Sequence, residues 1–163
     1  AGMEEWFGKM QAAGVAPNEV TYNTLLKGHA KTGNTARCQH WYDQMVSAGL
    51  QPDARTFSTL LDGCAAAGDT ALMEEWFGRM PASGVAPNKV TYSTLLKGHA
   101  KTGNTARCQL WYDQMVSTGI QPDARTFNTL NWYDQMVSAG LQPVDGCATA
   151  GDTALMEEWF GRM

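Results

Sequence analysis

Long apolar runs are missing from this sequence of 163 residues. None approaches the roughly 20 residues needed to cross a bilayer, and residues 1–10 lack the basic-then-apolar order of a signal peptide. No membrane or targeting segment is expected. Cysteine is sparse: Cys38, Cys64, Cys108 and Cys147 lie far apart with no Cys-x-x-Cys pair, which argues against a zinc knuckle or a redox dithiol. They read as small buried apolar residues. Basic charge is also short, with 12 Lys and Arg against 16 Asp and Glu and a net charge of −4. Taken whole, that balance argues against a nucleic-acid binder. What is present is a composition, 44% hydrophobic and 17% charged, that can build a packed core.

The sequence repeats. Residues 3–60 recur as 73–130 with nine differences: Lys9/Arg79, Gln11/Pro81, Ala13/Ser83, Glu19/Lys89, Asn23/Ser93, His40/Leu110, Ala48/Thr118, Leu50/Ile120 and Ser58/Asn128. A weaker period of 35 lies inside each block, aligning Val20-Thr-Tyr-Asn-Thr-Leu-Leu with Arg55-Thr-Phe-Ser-Thr-Leu-Leu. The segments are then 1–18 (the second-helix half of a unit), the units 19–53, 54–88 and 89–123, and an irregular remainder, 124–163.

Each unit reads as two short helices. In 19–53, Asn18 or Thr21 opens the first helix, Tyr22, Leu25, Leu26 and His29 or Ala30 form an apolar stripe, and Gly33 ends it. Asn34 caps a second helix with Cys38, Trp41, Tyr42 and Met45 as its stripe, stopped by Gly49 and Pro52. The next unit uses Asp69 as the cap and Met73, Trp76, Phe77 and Met80 as the stripe. Two such helices cannot bury both stripes alone, so neighbouring pairs must stack into an all-α solenoid.

The tail breaks the pattern. After Leu130, residues 131–143 copy the end of a second helix, and Val144 resumes the middle of a first helix. About 49 residues of the repeat are missing at the first junction and eight at the second. Two true deletions would give this pattern, but a sequence holding part of a longer array explains it better. Ala1, which aligns with Ala71 inside a helix, is then not a true N-terminus.

These units resemble pentatricopeptide repeats, the helical-hairpin RNA-binding repeats of organellar proteins. The likeness is carried by Val20-Thr-Tyr-Asn-Thr-Leu-Leu, Lys31-Thr-Gly, Trp41-Tyr-Asp-Gln-Met and Gly49-Leu-Gln-Pro-Asp53, all at a 35-residue period. Tetratricopeptide repeats have a 34-residue period and lack the Gly-x-x-Pro-Asp/Asn ending. The resemblance implies a right-handed superhelix that reads single-stranded RNA one base per repeat. It places base readers at the fifth residue of each unit, Asn23, Ser58, Ser93 and Asn128, supported by the closing residues Asp53, Asn88 and Asp123. An Asn amide suits a pyrimidine edge, whereas a short Ser hydroxyl leaves room for a purine. By analogy the three complete units would read 5′-UAG-3′, while Asn128 has lost its closing partner and receives no base. The second residue of each unit would wedge between bases. Val20 and Val90 match that role; Arg55 and Arg125 depart from it, although a guanidinium plane also stacks. Phosphate contacts would fall to Lys27, Lys31, Lys97 and Lys101, with Ala66 where Lys31 and Lys101 have their counterpart.

Both fifth-position pairs, Asn23/Ser93 and Ser58/Asn128, are among the nine differences, a coincidence of about 2% for random placement. Base-facing positions that vary on a constant scaffold are what a sequence-reading array would show. Trp6, Trp41, Trp76, Trp111, Trp132 and Trp159 sit in the second-helix stripe and read as packing. His29 and His99 read as partly buried packing positions, because Cys64 holds the same place. The adjacent pairs Glu4-Glu5, Glu74-Glu75 and Glu157-Glu158 read as a solvated face. No His-x-Glu with Cys-x-x-Cys occurs in this sequence, so no deaminase module of the kind some such proteins carry is expected within it. No catalytic residue, metal site or cofactor is expected.

The repeat frame also divides the charge. First-helix segments carry seven Lys and Arg against three acids, a net +4; second-helix segments carry five against eleven, a net −6; Asp53 and Asp123 add −2. The acidity falls on the second helices, and the side that would face RNA is net positive. The expectation is a non-enzymatic, single-stranded RNA-binding array of a mitochondrion or plastid, with other proteins of an organellar ribonucleoprotein assembly as further partners. The alternative is a structural or protein-binding solenoid subunit of a large organellar assembly such as a ribosome.

Overall fold

A computed structural model describes residues 2–130. It contains α1 (Met3–Ala12), α2 (Glu19–Lys31), α3 (Thr35–Ser47), α4 (Ala54–Ala67), α5 (Thr70–Ala82), α6 (Lys89–Lys101) and α7 (Thr105–Ser117). Residues 124–130 are helical as well, and no strand occurs among the described residues. The junctions at Leu130/Asn131 and Pro143/Val144 lie outside the described residues, as do Trp132, Cys147, Glu157, Glu158 and Trp159.

The same local chemistry sets every boundary. Asn18, Asp53 and Asn88 are extended N-caps whose Oδ1 accepts from the N–H of Thr21, Thr56 and Thr91, at 3.0, 2.9 and 3.1 Å. Each threonine hydroxyl accepts the cap's own N–H in return, so two otherwise orphaned donors are satisfied at each start. Asn34, Asp69 and Asn104 cap the second helices. Gly33, at φ 64°, closes α2: its N–H reaches Ala30 O while Asn34 N–H reaches His29 O. The residue that seals one helix therefore opens the next.

Packing turns these hairpins into an α-solenoid. The first helices stack side by side, α2 on α4 and α4 on α6, while α3, α5 and α7 fold back on α2, α4 and α6. One continuous core runs between the layers through Leu26, Leu60, Leu61, Leu95 and Leu96 on one side and Met45, Met73, Met80 and Met115 on the other. Rings link consecutive units edge-on: Phe7 to Trp41 at 4.8 Å, Tyr42 to Trp76 at 4.6 Å, and Phe77 to Trp111 at 4.7 Å. These tryptophans pack between hairpins, as their stripe position predicts. Cys38, Cys64 and Cys108 are buried free thiols, and burial pushes Cys38 up to about 11 and Cys64 up to about 12. Glycine sets the closest approaches: a Cβ on Gly63 would meet Ala30 Cα at 3.1 Å, and one on Gly98 would meet Met73 Sδ at 2.6 Å.

Candidate nucleic-acid interface

Because Tyr22, Leu25 and Leu26 turn into the core, the opposite face of α2 is left with Val20, Asn23, Lys27 and Lys31. With Arg55 and Asp62 of α4 they line an open groove of about 690 Å³. Five of the residues singled out from sequence are thus gathered on one surface. The same face continues on α6 with Val90, Ser93, Lys97 and Lys101. Val20 and Val90 are 65% and 57% exposed on this face. Ser58 and Ser93 are half-buried; Arg55, Arg125 and Asn128 are exposed.

The fifth and closing positions meet through a buried threonine. Thr56 Oγ1 lies 2.8 Å from Asn23 Oδ1 and 2.9 Å from Asp53 Oδ1, so one hydroxyl proton serves two acceptors. Thr56 is fully buried, as Thr91 and Thr126 nearly are. Asp53, Asn88 and Asp123 are therefore structural caps in addition to any role toward a ligand. Partial burial raises the Asp53 carboxyl, but Thr56's N–H and hydroxyl, with Arg55 nearby, bring it below the ordinary carboxylate value. Asp123 is held down to about 2, first by the Lys89 ammonium and then by Thr126.

The cations are unevenly placed. Lys27 and Lys97 flank Asp62, which holds the same register on α4. Burial raises the Asp62 carboxyl, against the Thr94 hydroxyl at 3.2 Å and the Lys97 charge. Lys101 Nζ donates to Ala66 O at 3.1 Å. The middle unit thus interrupts the positive track at Asp62 and Ala66 and supplies Arg55 at the other end of the helix.

Two sequence readings are corrected. Glu4 and Glu74 do not belong to a solvated face, and His29 and His99 do more than pack. Glu74 Oε1 accepts from Trp111 Nε1 at 3.2 Å and lies 3.0 Å from His99 Nε2 and 3.5 Å from Arg107 Nε. Glu4 repeats this with Trp41 Nε1, His29 Nε2 and Arg37 Nε at 3.2, 3.2 and 3.5 Å. Each carboxylate pins three helices together. Glu5 and Glu75 remain on the surface, paired with Lys9 and Arg79. A signal was present in the sequence: Glu, His and Arg occur together at both nodes, while the intervening junction has Gln39, Cys64 and Leu72 at all three positions. Burial keeps His99 below the ordinary imidazole value, against the pull of Glu74.

Family models agree with this architecture. A PPR repeat family model matches residues 17–66 and 59–101, and a PPR repeat model matches 90–120, together well over half of the chain. The chain belongs to the PPR repeat family. No curated protein matches it. Among solved structures, this PPR chain is similar to the maize pentatricopeptide repeat protein PPR10, also solved in complex with an 18-nt psaJ RNA element. For the complex the identity is 28% and the TM-score 0.73, with 88% of this chain and 23% of PPR10 covered. The chain therefore spans about a quarter of the length of that protein. The PPR domain of Arabidopsis thaliana protein-only RNase P 1, solved with tRNA, shares the fold at 22% identity and TM-score 0.65, covering 79% of this chain and 67% of that domain.

Proposed function

We propose that this chain is a sequence-selective, single-stranded RNA-binding array without catalytic activity of its own. It takes one base per repeat, with a core of 5′-UAG-3′ read by Asn23 with Asp53, Ser58 with Asn88, and Ser93 with Asp123. One observation carries the reading: the exposed first-helix face collects in one groove the side chains suited to edge recognition, stacking and phosphate contact. PPR10, solved with an RNA element, supports the ligand class. Val20 and Val90 would intercalate between bases, Arg55 and Arg125 would stack or reach phosphate, and Lys27, Lys31, Lys97 and Lys101 would hold the backbone. Family membership suggests a mitochondrion or plastid as the setting, with other proteins of an organellar ribonucleoprotein assembly as further partners.

A net +4 spread over the first-helix segments implies weak, salt-sensitive binding. The test is a titration with short RNAs carrying UAG, its permutations and a DNA version, between about 50 and about 200 mM salt. UAG RNA should bind more tightly than permuted RNA or DNA and lose affinity as salt rises. Equal binding of all sequences with no salt dependence would contradict the proposal and favour a protein-binding scaffold.

A further inference from the structure

Of the nine positions at which residues 3–60 and 73–130 differ, one reverses a charge: Glu19 becomes Lys89. Lys89 opens α6 four residues before Ser93, so the two side chains share one face of the helix. Its Nζ lies 3.0 Å from Asp123 Oδ2. Asp123 Oδ1 is already taken by the N–H and hydroxyl of Thr126, at 3.0 and 3.1 Å. Both oxygens of the closing carboxylate are therefore engaged, while an ammonium has three N–H donors and Asp123 takes only one. The unit 89–123 consequently offers donors to a ligand, from Lys89 and Ser93. The unit 19–53 is the reverse, with Glu19 and Asp53 as acceptors beside the Asn23 amide, and the unit 54–88 has Ala54 at this place. Helix energetics do not explain the change, since a cation in a first turn opposes the helix dipole and Glu19 complements it.

We propose that Lys89 is a third base-contacting residue of the unit 89–123, donating from Nζ to the adjacent O6 and N7 acceptors of guanine. Guanine alone places two acceptors side by side on that edge; adenine and cytosine each put an amino donor there, and uracil has one oxygen. The inference rests on the base-reading assignment above and adds to it a residue outside the fifth and closing positions.

The experiment compares wild type, Lys89→Ala, Lys89→Arg and Lys89→Glu on four RNAs that differ only in the third base: UAG, UAA, UAU and UAC. Lys89 is exposed and its counterpart is Glu19, so Lys89→Glu places a residue the repeat already carries and keeps the test independent of a folding failure in Lys89→Ala. Lys89→Ala and Lys89→Glu should each reduce the preference for G by about tenfold, the worth of one good edge contact. Lys89→Arg should retain it, and preferences at the first two bases should not move. An equal loss on all four RNAs with a shallower salt dependence would show that Lys89 meets only phosphate and would overturn the proposal, as would no change at all. Base preference surviving at the first two positions but indifferent to Lys89 sinks this inference alone. Absence of preference at every position in the wild type sinks the base-reading assignment itself.

Discussion

Trp6 and Trp76 hold the same place in nearly identical sequence, yet Trp6 is 62% exposed and Trp76 only 1%. Met3 and Met73, and His29 and His99, differ in the same sense. What separates α1–α3 from α5–α7 is the presence of α3 and α4 in front of the second set. A repeat supplies half of each interface, and burial, with the energy it carries, belongs to the junction rather than to the unit. Identical side chains therefore stand in environments of different consequence, and substituting them pairwise isolates the contribution of stacking.

The largest contrast should come from the tryptophans. Trp76→Ala removes a ring wedged against Tyr42 and Phe57 and should cost about 3–5 kcal/mol in denaturant unfolding. Trp6→Ala, beneath Lys9 at the surface, should stay within about 0.5 kcal/mol. Equal losses would mean that stacking is not what buries the second-helix stripe.

The glycines sharpen the comparison by a change of sign. Gly98→Ala drives a Cβ against Met73 Sδ at 2.6 Å and Ala65 Cβ at 3.3 Å, and Met73 is fully buried with no room to turn. A loss of about 1–3 kcal/mol is expected. Gly28 also faces a methionine, Met3, but that side chain is exposed and can swing away. Gly28→Ala should then be neutral or gain up to about 1 kcal/mol from helix propensity. Thermal unfolding of both variants checks this.

A smaller effect concerns pH. His99 sits below the ordinary imidazole value of 6.5 because burial disfavours its charged form. The unfolded chain therefore binds more protons, and this part of the stability is present above about pH 6.5 and lost as pH falls below it. The carboxylate of Glu74 and the Arg107 guanidinium face the same imidazole, the first raising and the second lowering its proton affinity. His99→Cys, which places the residue found at position 64, should flatten the dependence of unfolding free energy between about pH 7 and about pH 5. An unchanged slope would assign it to other groups.

The parts of the fold that depend on near neighbours were legible in the sequence. Stripes such as Cys38, Trp41, Tyr42 and Met45, and caps such as Asn34 and Asp69, are local signals that the repeat presents again and again. The first-helix face was legible for the same reason, since assigning Tyr22, Leu25 and Leu26 to the core leaves Asn23, Lys27 and Lys31 outside. The Glu74 node was not, because its partners lie 25 and more residues away and meet only when the stacking geometry is known. Adjacent glutamates look solvated in sequence, and among the described residues Glu5 and Glu75 are. The cap at Asn18 and Thr21 was legible, and the repeat carries it to Asp53 and Asp123; the bridge from Thr56 to Asn23 was not, because it joins two units across 33 residues.

The central claim is that the fifth residue of each unit reads a base from the groove along the first helices. Ser58→Asn tests it most directly, since the middle unit keeps Asn88, Thr91 and its packing while its reader gains the amide that Asn23 carries. Affinities for RNAs varied at the middle base should shift from a purine toward a pyrimidine, with the flanking preferences intact. An unchanged middle preference in a folded variant would contradict the account.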